Sequence, residues 1–156
     1  MALIDCGQSY TITSDNFSVP NTPASYDLLQ ISTGSTVPVF ISRILLNANA
    51  TAAAIQRITA LRRSTASTGG SSLTPNPLSA GSSAASCTVL LLPTTTTGTA
   101  GAQIDNQQWN EFAPYQFDLT PRGVLIPAAS WYSLFVPANP AAAFNASITI
   151  EMVEIK

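Results

Sequence analysis

Runs rich in β-branched and aromatic residues recur along the chain, each closed by Pro, Gly, Asn or Ser. That punctuation sets the fold class, because short apolar runs bounded by turn residues are the pattern of an all-β sandwich or barrel. "SYTIT" (9–13) reads as an edge strand and "SYDLLQIS" (25–32) as the next. "TVPVFISRILLNA" (36–48) is longer, with Pro38 near its start, where a missing N–H is tolerated. In that strand Phe40, Ser42, Ile44 and Leu46 fall on one face, and Ile41, Arg43, Leu45 and Asn47 on the other. "IQRITALRRST" (55–65) carries Ile55, Ile58 and Leu61 at a spacing that also suits a short helix, but Ile58, Thr59 and Thr65 favour a strand. Its two faces, Ile55, Arg57, Thr59, Leu61 and Arg63 against Gln56, Ile58, Ala60 and Arg62, are both mixed.

Further along, "CTVLLLP" (87–93) reads as a buried strand closed by Pro93, and "QWNEFAPYQFDLTP" (108–121) is interrupted by Pro114. "GVLIP" (123–127) is short and buried, and "SWYSLFVP" (130–137) alternates. "NASITIEMVEIK" (145–156) ends the chain, with Ile148, Ile150 and Met152 on one face and a phase break at Val153 and Ile155 of the kind a bulge produces. About eight short strands joined by polar crossings, residues 66–86 and 94–103, suit a single-domain, jelly-roll-like antiparallel β-sandwich over residues 21–156. Residues 1–20 read as an N-terminal arm.

Charged residues make up 9% of the 156, against about 25% in an average soluble protein. A net charge of −2 on so few charges gives no basic field for nucleic acid. The surface is neutral and polar, which protects poorly against self-association and points to an assembly. No apolar run approaches the roughly 20 residues that span a bilayer, so no membrane partner is expected. The first twenty residues lack a basic and an apolar signal region, so the expectation is synthesis in the cytoplasm. On that expectation the N-x-S/T sequons at Asn16, Asn49 and Asn145 stay unmodified, and Cys6 and Cys87 remain free thiols.

The chain has no histidine. Ser-His-Asp and Cys-His catalysis, His-rich metal sites and the H-E-x-x-H zinc motif therefore drop out, and no enzyme activity, metal or cofactor is expected. The carboxylates are scattered singly apart from Glu151 and Glu154, which face opposite ways on a strand and read as a solvated terminus. "DNQQWNE" (105–111) sets acids and amides around Trp109, but its spacing is not that of a calcium loop. Trp109 reads either as a stacking platform for a sugar or as packing in a core or interface.

Three of the six basic residues, Arg57, Arg62 and Arg63, lie within seven positions and lead into "STASTGGSSLTPNPLSAG". Arginine suits interfaces because its planar fork binds carboxylates and carbonyls. The competing reading pairs Arg57 and Arg63 with Glu111, Asp118 or Glu151 on neighbouring strands. On the first reading the polar loop drapes over something outside the domain. Trp131 and Tyr132 are adjacent on a strand, so one faces in and the other is a candidate anchor.

"LRRST" followed by "TGGSSLTPNPL", then "WNEFAPYQF", "PRGVLIPAASWYSLFVP" and a last strand "TIEMVEI" resemble small jelly-roll virion proteins of tailed bacteriophages, above all head decoration (cement) proteins. The resemblance covers roughly residues 36–156. It implies a homo-oligomer, a trimer, seated on the outside of the capsid against the major capsid protein and bridging capsomers. It carries no catalytic residue. The candidate interface is then Arg57, Arg62, Arg63, Trp109, Arg122, Trp131 and Tyr132. A receptor- or glycan-binding fibre or baseplate head, with aromatics and amides exposed around Trp109 or Trp131, is the alternative.

Overall fold

A computed structural model describes residues 7–49, 55–110, 115–118, 123–138 and 140–155. Among these the regular elements are all strands: β1 (Gln8–Val19), β2 (Tyr26–Ser32), β3 (Val39–Asn49), β4 (Ile55–Arg63), β5 (Ser71–Leu73), β6 (Asn76–Pro77), β7 (Thr88–Leu91), β8 (Ala100–Asn110), β9 (Tyr115–Asp118), β10 (Val124–Ile126), β11 (Trp131–Val136) and β12 (Phe144–Glu154).

They form two antiparallel sheets. Sheet A runs β10-β3-β12-β1-β6, with β9 also on β3, and sheet B runs β5-β7-β2-β11-β4-β8. Successive strands β1 to β4 alternate between the sheets, β8 returns beside β4, and β11 and β12 insert between strands laid down earlier. That interleaving gives the core order β1-β12-β3-β9/β10 against β2-β11-β4-β8, a jelly roll. The other three strands, β5, β6 and β7, belong to the long crossing between β4 and β8 and extend the sheets at β1 and β2.

The core lies between the sheets, where period-two alternation delivers Tyr10, Ile12, Ile148, Ile150 and Met152 from one side and Leu29, Ile31, Ile58, Tyr132 and Leu134 from the other. Trp109 closes it edge-on against Phe144, ring centroids 5.5 Å apart. Burying aromatic and β-branched side chains at about 25 cal/mol per Å² supplies the main driving force.

Four expectations need correction. "SYTIT" lies within β1, which is flanked by β12 and, at Tyr10 and Thr11, by β6, so it is not a bare edge and residues 8–19 are not an arm. The slip in register falls on β3 rather than β12. Glu151 pairs Arg43 and Met152 pairs Ile41, leaving Ser42 as the extra residue. Val39 and Ile41 therefore face the core together with Ile44 and Leu46, while β12 alternates unbroken to Glu154. Glu154 is fully buried, not solvated. Residues 66–86 fold back on their own domain: Ser83 and Gln8 bond to each other, and the backbone N–H of Leu78 donates to the Ser9 carbonyl. Cys6 and Pro114 lie outside the described residues.

Candidate interaction surface

The arginine cluster divides by strand parity. Along β4, Arg57 and Arg63 point away from sheet A while Arg62 points toward it, as alternation requires. Arg63 is buried and pairs with Asp27 on β2. Asp27 also accepts from the hydroxyls of Ser67 and, at 3.0 Å, Ser133. Arg63 donates to the Gly98 carbonyl at 2.8 Å, and its guanidinium lies 4.8 Å over the Phe135 ring. The Gly98 N–H donates to Ser67 Oγ at 2.8 Å and the Ser67 N–H to Gln30 Oε1 at 3.2 Å. This network pins the segments around Ser67 and Gly98 onto the outer face of sheet B.

Buried charges demand such partners, because an isolated one is costly to desolvate. Arg63 is therefore an internal fastener and is withdrawn as an interface residue. Trp109 and Tyr132 are withdrawn likewise, since both are buried in the core. Arg122 lies outside the described residues. Arg57 is exposed and donates to Asn106 Oδ1 at 2.8 Å. Arg62 is exposed at the rim, where it donates to the Leu125 carbonyl of β10 at 3.1 Å and ties the two sheets together. Trp131 is half-buried on the outer face of sheet B, opposite Arg63 in the ladder. Of the proposed pairings with Glu111, Asp118 or Glu151, neither Arg57 nor Arg63 makes the one to Glu151; Arg43 makes it, at 3.3 Å.

Sequence reasoning missed Glu154. Its Oε1 accepts from Ser86 N–H at 2.6 Å, Ser86 Oγ at 2.8 Å and Cys87 N–H at 2.9 Å, clasping the end of the long crossing to β12. Burial and then the Glu154 carboxylate push the Cys87 thiol up to about 12. The same two causes, burial first, raise the Tyr10 phenol. A carboxylate that continues the inward phase of a strand was the signal available.

Sequence reasoning also missed a surface feature. Alternation places Phe40, Val153 and Ser9 side by side on the outer face of sheet A, with Leu125 beyond Phe40 and Leu78 beyond Ser9. Leu78 is 62% exposed, Leu125 48% and the neighbouring Ile155 40%. Gly123 adopts a φ of 51° beneath the Phe40 ring, where any Cβ would collide with it. At the other end of this face Asn16, Asn47, Ala48, Asn145, Ala146 and Ser147 line a shallow hollow of about 190 Å³.

No family model matches the chain, and no curated protein does. A chain in the structure of infectious bursal disease virus, Gt strain, is similar at 12% identity over 97% of this chain and 41% of that one, with a TM-score of 0.23. This chain thus spans less than half the length of that viral chain, and so loose an overlap carries no argument. The jelly roll rests on the strand order alone.

Proposed function

We propose that the chain is a non-enzymatic structural virion protein: a decoration or cement subunit that acts as a homo-oligomer on the outside of a phage head, against the major capsid protein. The observation that carries this reading is the withdrawal of charge from the surface. Asp27, Arg63 and Glu154 are buried, three of the fourteen charged residues (six basic plus eight acidic). What remains outside is dominated by hydroxyls, amides and the apolar band of sheet A. A surface of that kind gains from being covered by subunits. The resemblance in "LRRST" and "PRGVLIPAASWYSLFVP" supports the same assignment.

In this role the fold acts as a stiff block. The Asp27 network and the Glu154 clasp hold the long crossing down, so contact energy is not spent on ordering loops when the subunit docks. The test is to compare virus particles made with and without the chain. Particles lacking it should release their genome at a lower temperature, and re-adding the protein should restore the wild-type value. Unchanged stability, with no binding to particles, would overturn the proposal.

The carboxamide hollow favours a second reading, a glycan-binding head. Carboxamides pair with neighbouring hydroxyls as donor and acceptor. Binding of a neutral saccharide that is lost in Asn145→Ala would establish it.

A further inference from the structure

The two outer faces of the sandwich differ. That of sheet B is roofed by its own chain over β2, β11 and the end of β4, though not at Arg57 and Asn106: Gln30, Ser133 and Asp27 face away from the core yet are fully buried under the segments around Ser67 and Gly98. That of sheet A has no such roof among the described residues. Its apolar band, Leu125-Phe40-Val153-Ser9-Leu78, crosses β10, β3, β12 and β1 and ends on the residue after β6, and only Ser9 interrupts it. The next row holds Arg43 and Glu151, both half-exposed, with Asp118 opposite Arg43 in the ladder.

We infer that the outer face of sheet A is where a second copy of this chain docks, sheet against sheet about a two-fold axis. This deepens the oligomeric reading above and rests on it. Size is the first argument. β1, β12 and β3, of eleven or twelve residues each at about 3.3 Å, with the short β9, β10 and β6 beside them at about 4.8 Å spacing, make a face of roughly 680 Å², against about 800 Å² per partner in a standard interface. Charge is the second. The row across β12, β3 and β9 runs Glu151, Arg43, Asp118 in the ladder, one basic residue between two acidic ones, so an identical face turned through a two-fold axis can set each copy's Arg43 against the other's Glu151. Shape is the third, because two antiparallel sheets stack at about 10 Å with their side chains interdigitated.

Three of the exposed apolar side chains then leave water together. The contact is isologous and yields a dimer, or even-numbered assemblies built from dimers, where the resemblance implies a trimer.

The experiment is sedimentation of the full chain across dilutions, for wild type, Leu78→Asp/Leu125→Asp and Gln103→Asp/Gln108→Asp, the last placing the same two negative charges on exposed positions of β8 in sheet B. Wild type and Gln103→Asp/Gln108→Asp should sediment as dimers, and Leu78→Asp/Leu125→Asp as a monomer with an unchanged far-ultraviolet spectrum. Leu78→Ala, which leaves the fold undisturbed, should weaken association about tenfold. A trimer indifferent to both sheet A variants would overturn this face and leave the oligomeric reading standing. A wild-type monomer at every concentration would overturn both. Loss of particle binding in Leu78→Asp/Leu125→Asp while dimers persist would reassign the face to the capsid.

Discussion

Arg62 and Arg63 are adjacent, and one strand step sends them to different environments. Arg63 lies beneath the loops with Asp27, while Arg62 holds a carbonyl at the rim. Removing one partner of a buried pair strands the other charge, so Arg63→Ala and Asp27→Ala should each cost about 3–5 kcal/mol of folding stability. Arg62→Ala removes one exposed hydrogen bond and should cost about 1 kcal/mol or less. Urea denaturation of the three variants measures this, and equal losses at Arg62 and Arg63 would refute the division. At Cys87 and Tyr10 the folded state holds its proton more tightly than the unfolded chain. Both groups are protonated in both states below about pH 8, so that contribution is fully present there. As pH rises toward 12 the unfolded chain loses its protons first and stability falls. The urea midpoint should drop between about pH 8 and about pH 11, and drop less in Cys87→Ala; a flat wild-type profile would contradict the assigned cause.

Among the elements, the crossing from β4 to β8 depends most on a single side chain. Glu154→Ala removes three donors' acceptor at Ser86 and Cys87 and should cost at least about 2 kcal/mol. It should also open the exposed stretch 78–84 to proteases, so limited proteolysis at the wild-type rate would sink the clasp. The strand pattern itself was legible in sequence: β2, β3, β4, β7, β10, β11 and β12 lie where β-branched runs and closing prolines put them. The register of β3 against β12 was not. A phase break is a property of a pair, and one strand's residues do not say which partner absorbs it; Ser42 does, and Glu154 follows the buried phase. The short strands β5 and β6 were illegible for a related reason, since "SSL" and "NP" pair only because β7 and β1 are already in place. The candidate interface was readable as residue types and not as positions. Trp109 and Arg63 are as suited to a core as to an interface; inward strand phase against Phe144 decides the first, and the roof over sheet B the second.

At the scale of the whole molecule, parts of a 36-residue crossing, residues 64–99, roof much of one sheet, and among the described residues the other sheet has no such roof. Both faces carry side chains that a water-facing sheet would not choose: much of sheet B covers them internally, and sheet A leaves Leu78, Leu125 and Ile155 exposed. The proposed role as an assembly subunit would cover the exposed apolar band. The mass in solution tests that most directly, by light scattering at several dilutions into the nanomolar range. The account predicts a stable multiple of the 16.3 kDa chain mass. A 16.3 kDa particle at every concentration would contradict it.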